Sequence, residues 1–288
     1  MGTLTIPSRQ TVVVSPAYKP LYLDELIMEN NSILRVEGIR IWRCRIYKFR
    51  AGTGCLIDAS GQNGGNGADQ TYVPGQAGEC NNGDDRAARA GSSGSAGNNG
   101  VDIDFDVGIV RIDDLLIRTD GGNGGNGGRG GQGQQGGGAK CVNCDGGNGG
   151  RGGAGGSAGQ GGNAGRVKIT WYPETARAAG QSSREEFEAF IRSMWEQMHE
   201  GEDHRSADEG DISKVRAVNA SPVGLRISSN GGIAGIRGLG GDGGRGGDGV
   251  DCGFYSKGGG NRGWNGADGY PQSNGASPDP IVERVEAF

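Results

Sequence analysis

The chain has 288 residues, of which 63 are glycine and only 33% hydrophobic, with six Phe, four Trp and four Met. So little apolar mass argues against an ordinary globular core as the main source of order and leaves much of it to backbone hydrogen bonding. A net charge of −5 gives no reason to expect nucleic acid or an anionic membrane as partner, and no apolar run approaches the ~18 residues of a membrane span.

The start, MGTLTIPSRQTVVVSP, lacks the charged-then-apolar pattern of a secretory leader, which leaves a trimmed start, export by another route, or assembly in the cytoplasm as for a virion part. Residues 1–58 read as a β-rich cap, β-helix-like or sandwich-like. Short β-rich pieces lie at 4–6, 12–14 and 21–28, and Asn30-Asn31-Ser32 marks a turn. Over 33–50, Ile41, Cys44, Ile46 and Phe49 alternate with Arg40, Arg43, Arg45, Lys48 and Arg50. Period-two alternation predicts a half-buried strand with a basic outer face, and its phase slips at Trp42 and Tyr47 predict bulges or several short rungs.

A module then repeats across 59–173 and again across 216–275. LIDAS at 56–60, LIRTD at 116–120 and LRISS at 225–229 each lead into a glycine run. Within 120–166 lie two runs, 120–135 and 145–166, in which close to two residues of every three are glycine and most of the remaining slots carry Asp, Asn, Arg and Gln. A strict period of three matches the turn of a polyglycine-II helix, which has no internal hydrogen bonds and must bond sideways to its neighbours. Collagen needs one Gly per triplet with abundant Pro, and nine prolines do not supply it. A flexible linker, the competing reading, has no reason to keep the period. Runs at 91–100 and 260–269 raise the expected number of such helices to about six. Gly121, Gly122, Gly124, Gly125, Gly149, Gly150, Gly243 and Gly244 are the expected structural glycines, on faces reserved for neighbouring backbone. Ile233, Ile236 and Leu239 occupy the open slots of the third module, and the reading expects them to face inward.

Val101, Ile103, Phe105 and Val107 alternate with Asp102, Asp104 and Asp106, another half-buried strand. Its aspartates suit calcium, a solvated face, or pairing with the basic strand. Residues 174–215 read as an acidic helical insert. Phe187, Phe190, Ile191, Met194 and Trp195 form one apolar stripe at helical spacing, and 185–211 holds ten acidic residues against two arginines. The tail, 276–288, is expected to add a last strand or to engage a neighbouring subunit.

Six cysteines, Cys44, Cys55, Cys80, Cys141, Cys144 and Cys252, are candidates for disulfides in a core-poor chain. The C-x-x-C at 141–144 lacks a second ligand pair for zinc, so a turn staple or free thiols is the reading there. Both histidines, His199 and His204, fall in the acidic insert, away from any nucleophile. A G-x-G-x-x-G at 131–136 lies inside a glycine run rather than between strand and helix, where alone it would bind a dinucleotide. No enzyme, cofactor or metal site is expected.

The G-G-N-G-G-N-G-G-R run resembles those of springtail antifreeze proteins, the tip adhesins of T-even-like phage tail fibres and the glycine-rich domain of Obg GTPases. A closer likeness is to bacterial glycine-rich collagen-like proteins, where short β segments precede such runs. The likeness covers roughly 56–270 outside the insert. It implies a mainly β or irregular fold, with short stacked strands, about six polyglycine-II helices and one inserted amphipathic α-helix. No GTPase motif and no phage attachment region accompanies it. The expected function is a non-enzymatic structural or adhesive fibre protein, extracellular or at the cell surface, forming homo-oligomers or filaments through a rigid slab. Its expected partners are further copies and a cell-surface glycan or protein receptor. The alternatives are a phage tail-fibre or virion receptor-binding protein, and an ice-binding protein.

Overall fold

The computed structural model describes residues 2–14, 21–70, 88–142, 144–173 and 215–287. Two sheets organise them. The first has seven strands, in the spatial order β1 (Gly2–Ile6), β3 (Leu21–Met28), β5 (Ile41–Ala51), β7 (Asp102–Ile112), β9 (Val167–Pro173), β14 (Ile281–Ala287) and β10 (Val215–Asn219). The second has five, in the order β11 (Leu225–Ser228), β8 (Leu115–Arg118), β6 (Cys55–Asp58), β4 (Ile33–Val36) and β2 (Thr11–Val14). Every neighbouring pair is parallel except β10 with β14.

Parallel neighbours need a crossover, and this chain supplies two kinds. Through β6 it steps from one sheet to the other and back, each strand of one sheet serving as the crossover for the next strand of the other. After β6, β8 and β11 it instead leaves the second sheet along a glycine run and returns along another to β7, β9 and β14 of the first. The core lies between the sheets, where alternate residues of each strand point inward. Leu26, Leu34, Ile57, Ile103, Ile117 and Ile169 are all buried there, and Trp42 meets Phe105 edge to face with ring centroids 4.9 Å apart.

The phase of β5 differs from expectation at one end and agrees at the other. Trp42 is 1% exposed and Ile41 47%, so the inward series begins at Trp42 and runs unbroken to Ile46. The slip at Tyr47 is present: the β5–β7 register shifts between Ile46 and Phe49. There the Tyr47 carbonyl closes on Gly108, where any Cβ would collide with it.

The six runs, 59–70, 88–100, 119–138, 145–166, 229–249 and 258–280, make two layers of three. In one layer Gly61 and Gly64 N–H donate to the carbonyls of Asp120 and Asn123 (2.8 and 2.7 Å), and Gly121 and Gly124 donate onward to Asn230 and Ile233 (2.9 and 2.8 Å). In the other, Gly94 donates to Ser157 (2.9 Å) and Gly152 to Trp264 (2.9 Å). Gly156 to Gly128 and Gly238 to Gly156, both 2.8 Å, tie the layers together.

These observations correct the expected fold class. Among the described residues there is no helix, and two largely parallel β-sheets, not a bundle of helices with an inserted α-helix, set the architecture. The glycine runs carry no helix and serve as extended connections between the two sheets, their backbone bonds going to neighbouring runs. Composition misled on the core as well: the apolar residues are concentrated in the strands, where they make an ordinary two-sheet interior. The apolar stripe of the expected helix (Phe187, Phe190, Ile191, Met194, Trp195) lies outside the described residues. The tail becomes β14, paired within the chain between β9 and β10.

Candidate interaction surface

A period of three sends every third residue of a run to the same side. On the face of runs 59–70, 119–138 and 229–249 those residues form rows, and the side chain of one run serves the backbone of the next. Asn63 Oδ1 accepts from Asn123 N–H (2.8 Å), and Asn123 Oδ1 accepts from Ile233 N–H (2.9 Å). One row along, Asn66 accepts from Asn126 (2.9 Å) and Asn126 from Ile236 (2.8 Å). The ladder explains why Asn recurs: an outward residue leaves its own N–H without a backbone acceptor, and an amide on the preceding run provides one. Run 229–249 is the last of its layer, so its outward residues have no further N–H to serve, and they are Ile233, Ile236 and Leu239. Ile236 is 73% exposed, and all three point to solvent, which corrects the expectation that this stripe faces inward.

The lateral edges are closed by side chains. At one end Ser95 and Ser92 Oγ accept from Gly65 and Ala68 N–H (2.7 and 2.6 Å). At the other, Ser277, Asn274, Asp268 and Asn265 accept from Gly231, Ala234, Gly240 and Gly243 N–H at 2.7–3.0 Å. An edge whose donors are already bonded is a poor template for another copy.

The structural glycines stand inside this lattice. Gly122, Gly125, Gly149, Gly150, Gly243 and Gly244 are buried, with Gly121 and Gly124 half-buried. A Cβ on Gly125 would fall on the Gly65 carbonyl oxygen, and one on Gly149 on that of Gly244. Ala158 and Ala164 do occupy inward slots of run 145–166. Opposite Ala158 the facing run reads Tyr270-Pro271-Gln272 in place of glycine, and the bonds Ala158 to Tyr270 and Gly161 to Ser273 lengthen to 3.0 and 3.1 Å.

The cysteines divide. Cys141 and Cys252 form a disulfide joining the tips of two glycine hairpins, next to the short antiparallel pair β12 (Val250–Asp251) and β13 (Ser256–Lys257). The Tyr255 hydroxyl donates to the Cys141 carbonyl beside it. Cys144 is disulfide-bonded too, so the C-x-x-C is no zinc site. Cys44 and Cys55 are free and buried, contrary to their candidacy as bridges, because they sit on different sheets with no cysteine opposite. Burial, with Asp106 adding to it, pushes the Cys44 thiol well above its ordinary range, while Cys55 Sγ donates to the Glu29 carbonyl (3.2 Å). Cys80 lies outside the described residues.

Register settles the reading of the aspartates: Asp104 and Asp106 face Arg43 and Arg45 across β5 and β7, at 3.9 and 3.4 Å. Asp102 instead accepts from Arg166 N–H (2.8 Å). Nearby, Tyr172 is buried and its phenol is pushed upward by burial and by Asp106, with Arg45 opposing. Among the described residues no group of His, Cys, Asp or Glu stands close enough to hold a metal ion, and no helix is long and apolar enough to cross a membrane.

Sequence reasoning passed over the most exposed side chains. Nine of the thirteen large exposed hydrophobics among the described residues fall after residue 220, so the last hairpin is where apolar surface concentrates. Trp264 (84% exposed) and Tyr270 (77%) stand on the face opposite the Ile stripe, and Phe254 projects at the tip. The signal was present, since 261, 264, 267, 270, 273 and 276 keep one phase of three, but glycine supplies only one residue per triplet there. A shallow depression of about 520 Å³ beside Trp264 is lined by Arg262, Gly263 and Asn265. Comparison with family models, with curated proteins and with solved structures gives no match to this chain.

Proposed function

We propose that this is a non-enzymatic structural or adhesive protein of an extracellular or cell-surface setting, in which a rigid glycine slab displays side chains for contact with a partner. The observation that carries the reading is the last hairpin, with Ile233, Ile236 and Leu239 exposed on one face and Trp264 and Tyr270 on the other. Backbone bonds on both sides hold these side chains at a fixed raster, so binding costs little ordering entropy. Exposed apolar residues grouped in this way mark interaction sites. The disulfide between hairpin tips supports an oxidising compartment. Self-association into homo-oligomers belongs to the same reading and uses the Ile233 face, because the lateral edges are already capped. A cell-surface glycan or protein receptor is the partner on the aromatic side.

Light scattering and electron microscopy of the purified chain, together with its retention on intact cells, test this. Assembly or retention that Ile236→Ser or Trp264→Ala abolishes is the expected result. A chain that stays monomeric and adheres to nothing overturns the proposal. One observation favours ice binding as a second reading: the outward positions nearest the sheets, Asn63, Asn66, Asn123, Asn126, Ile233 and Ile236, form a regular uncharged array. Thermal hysteresis of the native protein decides that reading.

A further inference from the structure

We infer that the face bearing Trp264 and Tyr270 binds a neutral polysaccharide chain, laid lengthwise along run 258–280 with sugar rings stacked on the two aromatic side chains. The inference rests on the adhesive reading and names its ligand class. Trp264, Ala267 and Tyr270 share one phase of the run, so the indole and the phenol rise from the same face with a methyl group between them. Six residues of extended chain separate the aromatics by roughly 20 Å, longer than a disaccharide, so a polymer is needed to engage both.

The ground between them is low. Gly155 N–H bonds the Ala267 carbonyl and Gly91 N–H the Ala154 carbonyl, both 2.8 Å, which lines up Ala267 with Ala154 and Ala90 across the slab. All three are exposed alanines and form a flat floor. Around Tyr270 the rim is hydroxyl and amide: Tyr270 N–H donates to Ser157 Oγ (3.4 Å), and Gln160 Nε2 to Ser273 Oγ (3.4 Å).

The chemistry selects among partners. A sugar ring presents an apolar C–H face, which suits an aromatic plane, and a girdle of hydroxyls, which suits neutral donors and acceptors. Along this face the outward residues of runs 88–100, 145–163 and 261–276 carry two charges of opposite sign, Asp145 and Arg151, the latter aligned with Trp264. An acidic polymer would find only Arg151 and, beside the depression, Arg262, set against Asp145 and a chain of net charge −5. An extended peptide would want an open backbone edge or a deep side-chain pocket. The edge donors beside run 258–280 are bonded to Asn265, Asp268, Asn274 and Ser277, and the depression at Trp264 is shallow.

The experiment uses the full disulfide-bonded chain in co-sedimentation with microcrystalline cellulose, chitin and xylan, and in affinity electrophoresis through β-glucan and dextran. Heparin and polygalacturonate are the charged arms. The variants are Trp264→Ala, Tyr270→Ala, their double, and Val223→Ser in the exposed turn before β11, each checked for an unchanged melting temperature. The expected result is binding to at least one neutral polymer, weakened about tenfold or more by each aromatic substitution and unaffected by Val223→Ser. Binding to none of the neutral polymers, binding to the charged ones alone, or undiminished binding by the double variant overturns the inference. Retention on intact cells separates the two levels. If the double variant is retained like wild type, the polysaccharide inference fails and the adhesive reading stands; if wild type is neither retained nor self-associating, the adhesive reading itself fails.

Discussion

The sheet pair and the glycine slab solve the same problem with opposite materials. Between the sheets, order comes from side chains: alternate residues of each strand are driven out of water, and Trp42, Leu34 and Ile57 interlock with little regard to which apolar shape fills which place. In the slab, order comes from the absence of side chains. In the middle runs, 119–138 and 145–166, two positions of most triplets are carbonyl-to-amide contacts at 2.7–3.1 Å that, Ala158 and Ala164 apart, leave no room for a methyl group, and the third faces water. The first region therefore tolerates exchange of size but not of polarity. The second tolerates almost any chemistry at one position in three and almost none at the others. Display follows from that asymmetry, because the slab's outward residues contribute little to its stability and are open to selection for binding.

The sharpest way to break the comparison is Gly125→Val. Its side chain would have to displace the Gly65 carbonyl, which belongs to a neighbouring run and not to a flexible side chain. Several lateral bonds of the middle runs would be lost together, and a destabilisation above about 4 kcal/mol is expected. Urea unfolding measures it, and amide exchange of run 119–138 locates it. A variant that melts within about 0.5 kcal/mol of wild type would mean that the runs are not packed as a lattice. Leu34→Ala, wholly buried on β4, is the counterpart in the sheets and should cost about 2–5 kcal/mol through lost burial and a cavity. Leu34→Met should cost under about 1.5 kcal/mol, whereas no side chain in place of Gly125 is expected to be mild.

Much of this contrast is written in the sequence, in two different periods. The period of two over 101–107 marks β7, and pairing of its aspartates with the basic strand is one of its options, which the register realises at Arg43 and Arg45. The period of three over 120–166 reappears as the spacing of lateral hydrogen bonds. Other features depend on neighbours that a single chain does not name. The alternation between two sheets is a matter of which strands lie side by side, and short apolar segments look alike in either. Whether Ile233 faces in or out depends on which side of its run the second layer covers, a fact about the stack and not the triplet. The inward phase at Trp42 was obscured because Ile41 is equally apolar. The bridge from Cys141 to Cys252 spans 111 residues and becomes visible only when two hairpin tips meet.

Alkaline pH should act on the sheets and spare the slab. Cys44 and Tyr172 both have folded pKa values raised by burial above their ordinary 9.0 and 10.0. Below pH about 9 both are protonated folded and unfolded alike, so stability there does not depend on them. As pH rises through about 9 and then 10, the unfolded chain releases their protons while the folded one holds them, and stability falls. Urea midpoints at pH 8 and 10.5 should therefore differ less in Tyr172→Phe and in Cys44→Ala than in wild type. Equal differences in all three would show that neither group is held protonated by the fold.

The finest test concerns the slab's outward positions, where the comparison says side chains hardly matter. The Asn ladder is the exception. Asn123 Oδ1 accepts from the N–H of Ile233, which has no backbone acceptor on that side. Replacing Asn123 by Ala hands that donor to water on an exposed face, so the cost should be about 0.5–1.5 kcal/mol and no more. Ile233→Asn makes the reverse change at the end of the layer, where no further run offers an N–H. It should leave stability within about 0.5 kcal/mol of wild type, because an amide there has nothing to cap. The pair of midpoints carries the argument: a cost at Asn123 with none at Ile233 ties the asparagine to its neighbour's backbone, whereas equal costs would mean that these side chains act through their own runs.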